Sequence, residues 1–365
     1  MWRETCPSTV RWRTPSTRCR GWGRNARRCT KAREPLLKDF HHVEDIHGEG
    51  GLGGDLFPET GIPSAEGFAP AEIVRRCRAA PGQYTLLCIG PLTNLALALS
   101  QEPDLPALVD AVWVMGGAVH CVGNVTPAAE YNVWVDPDAA KRVFDAFEIT
   151  LVDWGVSLRD SLLPPAGIEA VLHMEGELPA FISGMIETVY EFTRTEQGID
   201  GVPQPDSLTA ALLAYPELRG EMSTYPVAVD EREGLTRGYL SVDEDGVTEA
   251  PARTRVVESA NGGRFCTVVL SMLRDRAPDR VLSSPVQDAG QSEQSPAATY
   301  PPQCIGLASD VPAGLKHETS LLDPRTPHRH VVPFGGWERT IMCARSARRP
   351  HRQSAPGHRR PQMPS

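Results

Sequence analysis

Glu130 and Asn132 place a carboxylate and an amide two residues apart, inside the stretch GNVTPAAEYNVWVDPDAA at residues 123–140. A carboxylate accepts hydrogen bonds, and a side-chain amide both donates and accepts them, so the pair could bind the two hydroxyls of a sugar diol. The spacing alone is equally compatible with two unrelated polar residues. Asp136 and Asp138 stand just before a helical pattern in the same stretch, and we interpret them as helix-start charges rather than catalytic acids.

Glycine-rich turns at three other places could let a ligand approach the backbone. They are IGPLTNLALAL at residues 89–99, VMGGA at residues 114–118 and HGEGGLGG at residues 47–54. The first two follow apolar runs and are also compatible with ordinary turns after a strand. The third is not followed by the Gly-Lys-Ser/Thr step of a phosphate-binding loop, which argues against that interpretation.

The elements that must position these residues alternate along the chain between short apolar runs and helical patterns. The predicted strands are Tyr84–Ile89, Ala111–Met115, Ile149–Val152, Tyr225–Val229 and Gly238–Val242. The predicted helices are Leu92–Gln101, Asp136–Ala146, Leu178–Arg194 and Asp206–Tyr215, with a closing element at Arg264–Arg274. This alternation predicts an α/β fold, with a mostly parallel sheet and helices on both faces. Ligand sites in such sheets lie at the carboxyl ends of the strands, which is where the motifs fall.

Three of these motifs together resemble the calcium-dependent nucleoside hydrolase family, the inosine/uridine-preferring N-ribohydrolases. They are the 18-residue stretch at residues 123–140, GPLTN and VMGGA. The resemblance extends from about Ile46 to about Arg274. It implies a nucleoside hydrolase-like fold and a glycosidase that cleaves the N-glycosidic bond of a ribonucleoside, releasing ribose and free base. It also implies a cytoplasmic enzyme of purine and pyrimidine salvage that assembles as a dimer or tetramer.

The resemblance assigns roles to individual residues. It implies that the Thr93 carbonyl and the Asp206 carboxylate hold calcium, a hard cation that takes roughly six to eight oxygen ligands. The structural alternative for Asp206 is the N-cap of the following helix. Pro205 stands where the family usually has a histidine, and proline cannot protonate a leaving purine. The residues expected to bind ribose are Met115, Asn124, Glu130 and Asn132, with His47 in the glycine-rich loop near the pocket.

The family opens with a strand that ends in an aspartate cluster, D-x-D-x-G-x-D-D, and no such cluster occurs in this sequence. That cluster holds the metal and supplies the general base, so no catalytic residue is identified and the first strand is expected to be absent. Glu44 and Asp45 are poor substitutes because they do not follow an apolar strand. Three interpretations stay open: a hydrolase whose true N-terminus differs, a non-catalytic ribose-binding relative, and a hydrolase with a rebuilt metal site.

Composition narrows the class of partner. The net charge of −9 argues against nucleic acid as the main partner, and no run of 18 apolar residues predicts a membrane span. The nine cysteines form no CxxC or zinc-ligand spacing, which indicates reduced thiols in a cytosolic protein.

Three zones are expected along the chain. Residues 1–40 carry eleven Lys and Arg against three acids and lack periodicity. They are expected to be a disordered Arg-rich extension, better explained by a non-native reading frame than by a transit peptide. Residues 41–283 are expected to form the nucleoside hydrolase-like domain, incomplete at its N-terminal side. Residues 284–365 are expected to be a disordered tail rich in Pro, Ser and Arg.

Overall fold

The computed structural model describes residues 65–274 together with the backbone of three short strand segments, at residues 30–31, 331–334 and 341–345. The strands are β1 Thr30–Lys31, β2 Ala65–Phe68, β3 Tyr84–Cys88, β4 Ala111–Met115, β5 Ile149–Val152, β6 Met222–Tyr225, β7 Val227–Val229, β8 Leu240–Val242, β9 Thr254–Val257, β10 Val331–Phe334 and β11 Ile341–Arg345. The helices are α1 Ala69–Ala79, α2 Thr93–Gln101, α3 Leu105–Leu108, α4 Tyr131–Val135, α5 Pro137–Ala146, α6 Trp154–Asp160, α7 Pro165–Leu172, α8 Glu177–Thr195, α9 Pro205–Ala214 and α10 Gly262–Leu273, with a 3-10 turn at Pro216–Leu218. Within residues 65–274, each helix falls short of the length or apolarity needed to cross a membrane.

A seven-stranded sheet in the order β10-β11-β3-β4-β5-β9-β6 forms the centre of the fold. Its four inner strands β3, β4, β5 and β9 pair in parallel, with Leu86 beside Val112 and Val114 beside Leu151. The strands β11 and β6 run antiparallel to their inner neighbours. A separate antiparallel hairpin joins β7 to β8. The mostly parallel α/β sheet predicted from the alternation of elements is therefore confirmed.

Helices cover both faces of this sheet because alternate residues of a parallel strand point to opposite sides. Leu86 and Val112 belong to one buried cluster, and their chain neighbours Leu87 and Trp113 belong to another. The first cluster includes residues of α1, α2 and α5, namely Ile73, Leu95, Val143 and Phe144. The second includes residues of α9 and α10, namely Leu208, Leu212, Phe265 and Val268. Both faces being apolar explains why these strands were recognisable as continuous apolar runs.

The segment predicted as one strand over Tyr225–Val229 divides at Pro226 into β6 and β7, which pair in different sheets. Proline has no N–H to donate to a ladder, so a break there is the expected physical outcome. The closing element at Gly262–Leu273 is a helix. The strand β9 and the helices α1, α6 and α7 were not predicted.

The edge of β3 is paired with β11, although the family's first strand was expected to be absent. Residues 341–345 run antiparallel to residues 84–88, so this row of backbone groups has partners. An unpaired edge would otherwise expose N–H and C=O groups to other chains. Apart from the short strand segments, the predicted disordered zones at residues 1–40 and 284–365 lie outside the described residues, as do Glu44, Asp45 and His47.

Candidate functional site

The site is built on the carboxyl ends of β4 and β5. The Gly116-Gly117 turn after β4 is hydrogen-bonded to the end of β5. Gly116 N donates to the Val152 carbonyl at 3.2 Å, and Trp154 N donates to the Gly117 carbonyl at 2.9 Å. Gly117 has a φ of +75°, and a Cβ atom there would lie 2.1 Å from the Leu240 side chain of β8. Only glycine satisfies both the left-handed backbone and the close approach.

Glu130 is the central polar residue of the site and is only 2% exposed. Its Oε2 accepts a hydrogen bond from Gly117 N at 2.7 Å, and its Oε1 accepts one from Asn132 N at 3.0 Å. Burial raises the pKa of this carboxyl to about 7 against the opposing effect of the N–H donors, and the charge of Asp206 raises it further. Three backbone N–H groups, of Gly117, Asn132 and Val133, share the four lone pairs of the carboxylate, which leaves one for a ligand hydroxyl.

The other predicted ribose-binding residues surround Glu130 and are linked to it. Asn132 Nδ2 donates to the Met115 carbonyl at 3.2 Å and lies 3.2 Å from the Met115 Sδ atom. Asn124 Oδ1 accepts from the N–H of Tyr131, the first residue of α4, at 2.9 Å. Met115, Glu130 and Asn132 thus form one hydrogen-bonded group, and Asn124 is attached to it through the N–H of Tyr131. These four residues are hereafter the sugar cluster. Their contact with ribose remains a prediction.

Asp206 lies in the first turn of α9, and its charge raises the pKa of Glu130. The helix begins at Pro205 with Gln204 as its N-cap, one residue before the expected start. Asp206 is therefore not the N-cap, and its first-turn position keeps the structural alternative of a helix-start charge, as for Asp138 in α5. The N–H of Gln204 donates to the Ser161 hydroxyl at 2.9 Å, which fixes the position of the helix start.

Thr93 is the first residue of α2 and its side chain is fully buried. Its hydroxyl donates to Asp136 Oδ2 at 2.5 Å, while Asp136 Oδ1 accepts from Ala139 N at 3.2 Å. Asp136 is the N-cap of α5 and Asp138 lies in its first turn, which confirms both as helix-start charges. The Thr93 hydroxyl therefore ties the GPLTN turn to the segment that follows α4.

The donor set for calcium is incomplete among the described residues. Calcium takes roughly six to eight oxygen ligands, often several carboxylates. Thr93 offers a carbonyl and Asp206 a carboxylate, hereafter the cation pair. Within residues 65–274, no group of three or more His, Cys, Asp or Glu side chains could hold a metal ion. One carboxylate and one carbonyl do not by themselves fit a calcium shell.

Two residues that support the site were missed at the level of sequence. Asp153 is buried directly after β5, where its Oδ2 accepts from Val119 N at 2.7 Å and its Oδ1 accepts from Val156 N at 3.0 Å. Burial raises the pKa of this carboxyl, and the N–H donors oppose that effect. An aspartate immediately after a predicted strand was the available signal. Arg237 lies about a hundred residues from its partners in α4, and no local pattern marks it.

A parallel sheet with polar side chains at its carboxyl edge is typical of α/β proteins that bind small ligands at that edge. The chain belongs to the inosine-uridine preferring nucleoside hydrolase family, whose family model matches residues 19–267. This match confirms the resemblance, and it begins upstream of Ile46, inside the Arg-rich segment.

Curated relatives and solved structures agree with this assignment. The chain is 32% identical over 212 residues to the pyrimidine-specific ribonucleoside hydrolase RihA of Klebsiella pneumoniae subsp. pneumoniae, covering 58% of this chain and 67% of that protein. It is 30% identical over 244 residues to RihA of Photobacterium profundum, covering 66% and 78% of the two chains. The purine-preferring ribonucleoside hydrolase from Gardnerella vaginalis has a TM-score of 0.66 at 23% identity, covering 72% of this chain and 85% of that one. A plant nucleoside hydrolase has a TM-score of 0.63 at 23% identity, covering 67% and 80%. At these identities the solved structures show a shared fold.

Proposed function

We propose that the chain binds a ribonucleoside through its ribose at the sugar cluster and hydrolyses the N-glycosidic bond, releasing ribose and the free base. The observation that carries this proposal is the fixed arrangement of two groups at the edge of the sheet where ligands bind. The Glu130 carboxylate accepts from the backbone N–H groups of Gly117 and Asn132, and the Asn132 side-chain amide donates to the Met115 carbonyl. Family membership and the activity named for the curated relatives support it. Nothing in the described residues favours the non-catalytic alternative over hydrolysis.

The chemistry requires a water oxygen to bond to the anomeric carbon while the C–N bond breaks with its electron pair going to the base. The attacking water loses one proton, and the departing base gains one. Positive charge develops on the sugar ring as that bond breaks. Glu130 and Asn132 would hold the hydroxyls in a buried place, where hydrogen bonds and charges act more strongly than in water. Asp206 adds a second carboxylate on the same side, and negative potential there favours the developing positive charge.

Pyrimidine ribonucleosides are the proposed substrates within this class. The curated relatives are described as pyrimidine-specific, whereas the solved structures include purine-preferring proteins. Pro205 precedes Asp206 and cannot donate a proton to a departing purine. Uridine and cytidine are therefore expected to be cleaved faster than inosine.

The test is release of free base by the purified full-length chain from uridine, cytidine and inosine. Asn132→Ala is expected to lower kcat/KM about 100-fold, because it removes a buried contact to the sugar. The matched control is Glu249→Gln, on an exposed residue, which should leave kcat/KM unchanged. Activity that persists equally in both variants would reveal a contaminating host enzyme. Ribose binding without base release would support the non-catalytic alternative, and absence of both would overturn the proposal.

Calcium as the metal, a cytoplasmic location and a dimeric or tetrameric assembly are three further proposals. The cation pair and the family support calcium, with the remaining ligands supplied from outside the described residues. A melting temperature that rises with calcium and falls with chelator would support a calcium site, and an unchanged melting temperature would overturn it.

The cysteines at 77, 88, 121 and 266 are all reduced, which supports a cytoplasmic location and a role in nucleoside salvage. A dimer or tetramer is proposed from the family and is tested by sedimentation.

A further inference from the structure

The helix that contains Asn132 and has Glu130 as its N-cap is too short to be stable by itself. The helix α4 contains five residues, YNVWV, and a helix of about this length is strongly unfavourable in water without tertiary contacts. The orientation of Glu130 and Asn132 therefore depends on the groups that hold the two ends of α4.

The N-terminal end of α4 is held by the sugar cluster itself. The N–H groups of Tyr131 and Asn132 donate to the side chains of Asn124 and Glu130. These two N–H groups would otherwise lack partners at a helix start. A ligand that engages the same side chains therefore acts directly on the first turn of the helix.

The C-terminal end of α4 is held by one arginine from a distant hairpin. Arg237 Nε donates to the Trp134 carbonyl at 2.9 Å, and its Nη2 donates to the Val135 carbonyl at 3.2 Å. These are carbonyls of the last turn, and no N–H group of so short a helix lies far enough along the chain to donate to them. A positive charge at a helix C-terminus also interacts favourably with the helix dipole.

The burial of Arg237 makes this contact specific. The residue is 7% exposed, and its guanidinium lies 5.0 Å from the centroid of the Trp134 ring. Its Nη1 pairs with Glu233 at 3.0 Å, although the Glu233 side chain is 65% exposed. A buried cation is costly unless its donors are satisfied, and the planar fork of arginine satisfies them in three directions at once.

The backbone of the hairpin approaches α4 as closely as the side chain does. Gly238 has a φ of +77°, and a Cβ atom there would lie 2.6 Å from the Trp134 Cα. Leu240, two residues further, packs on the Gly117 turn that donates to Glu130. The β7–β8 hairpin thus contacts both the helix and the turn between which Glu130 lies.

We propose that Arg237 is a positioning residue for sugar binding: by holding the Trp134 and Val135 carbonyls, it fixes the orientation in which α4 presents Glu130 and Asn132. The inference rests on the proposed function, because it assumes that ribose binds at the sugar cluster. Lysine keeps the charge but cannot reproduce the two-carbonyl fork or the stacking on Trp134. Arg237→Lys should therefore weaken sugar binding without removing any group that touches the sugar.

A matched control exists in Arg219, which makes the same kind of contact elsewhere. Its Nε donates to the Leu212 carbonyl at 2.7 Å and its Nη2 to the Leu213 carbonyl at 3.2 Å, and its guanidinium lies 4.9 Å from the Trp113 ring centroid. These carbonyls end α9, a ten-residue helix packed in the core. Arg219→Lys should cost stability similar to that of Arg237→Lys, but it acts on the C-terminal end of α9, whereas Asp206 lies in the first turn of that helix.

The experiment combines ligand-free and ligand-bound readouts on the full-length chain. In Arg237→Lys, hydrogen exchange over residues 130–136 should accelerate, and KM for uridine (or Kd for ribose by calorimetry) should rise about tenfold while kcat changes less. In Arg219→Lys, exchange should accelerate over α9 only, with KM and Kd within about twofold of the wild type. Glu233→Gln should resemble the wild type, because the carbonyl contacts remain.

Two results would overturn the proposal: unchanged exchange over residues 130–136 in Arg237→Lys, or equal increases in KM for the two lysine variants. Failure of the proposed function has a different signature. If the proposed function is wrong, the wild-type chain neither cleaves nor binds ribonucleosides. The hydrogen-exchange measurement would still decide whether Arg237 holds α4.

Discussion

The sugar cluster and the cation pair lie at the same edge of the sheet, yet they are built differently. The sugar cluster comes from one stretch of chain between Met115 and Asn132. Asn132 hydrogen-bonds to Glu130 and Met115, and Asn124 accepts from the N–H of Tyr131, which lies between Glu130 and Asn132 in sequence. The cation pair joins Thr93 and Asp206, which belong to two different helices and make their contacts with other groups. Recognition of ribose is therefore local in sequence, whereas the binding of a cation depends on donors gathered from distant elements.

The largest expected effect comes from breaking the turn that supports the sugar cluster. Gly117→Ala combines a strained φ of +75° with a Cβ atom 2.1 Å from Leu240, and we expect it to lower the free energy of unfolding by about 3 kcal/mol. Gly246→Ala is the matched control, because its φ is +68° but nothing lies within 4 Å of the added atom. It should cost only about 1 kcal/mol in urea unfolding. Equal costs would show that the contact with Leu240 relaxes freely.

Glu130 gives the sugar cluster a characteristic pH dependence. Its folded pKa of about 7 lies above the usual value of 4.5 for a glutamate. The folded state therefore holds a proton that the unfolded state has lost in this window, and stability falls as the pH rises from about 4.5 through 7. The contribution is at most about 3 kcal/mol, and we expect about 2 kcal/mol after relaxation of the site.

Urea unfolding at several pH values, in the presence of chelator, measures this effect. Glu130→Gln should flatten the decrease in stability between these pH values, while the exposed Glu249→Gln control should retain it. A wild-type slope in Glu130→Gln would assign the decrease to another group.

The sequence predicted the scaffold more fully than the supports of the site. The bounds of β4 and β5 match the predicted ones because both are apolar runs buried on both faces. Met115, Glu130 and Asn132 were recognised because a contiguous motif carries them. The links from Thr93 to Asp136 and from Arg237 to α4 could not be predicted, because 43 and about a hundred residues separate the partners and only the fold brings them together.

Thr93→Val separates the two roles of this residue. The substitution removes a buried hydroxyl that donates to Asp136, and we expect a loss of about 1.5 kcal/mol in the free energy of unfolding. The backbone carbonyl is retained, so any effect of calcium on the melting temperature should persist. Thr248→Val is a matched control, because its hydroxyl donates to Asp243 at the same 2.5 Å on the exposed surface. That variant should change stability by less than about 0.5 kcal/mol. Loss of the calcium effect in Thr93→Val alone would show that the side chain, not the carbonyl, matters.

The smallest expected effect is the stabilisation by calcium itself, and it gives the sharpest test of the difference between the two regions. With one carboxylate and one carbonyl among the described residues, affinity should be in the millimolar range, so 1 mM calcium should stabilise the chain by less than about 1 kcal/mol. Asp206→Asn should abolish that stabilisation, whereas Asp245→Asn, on an exposed residue, should not. A larger shift that still disappears in Asp206→Asn would mean that oxygen donors outside the described residues complete the shell. A shift that survives in Asp206→Asn would mean that calcium binds elsewhere, and the cation pair would then be a structural feature of α2 and α9.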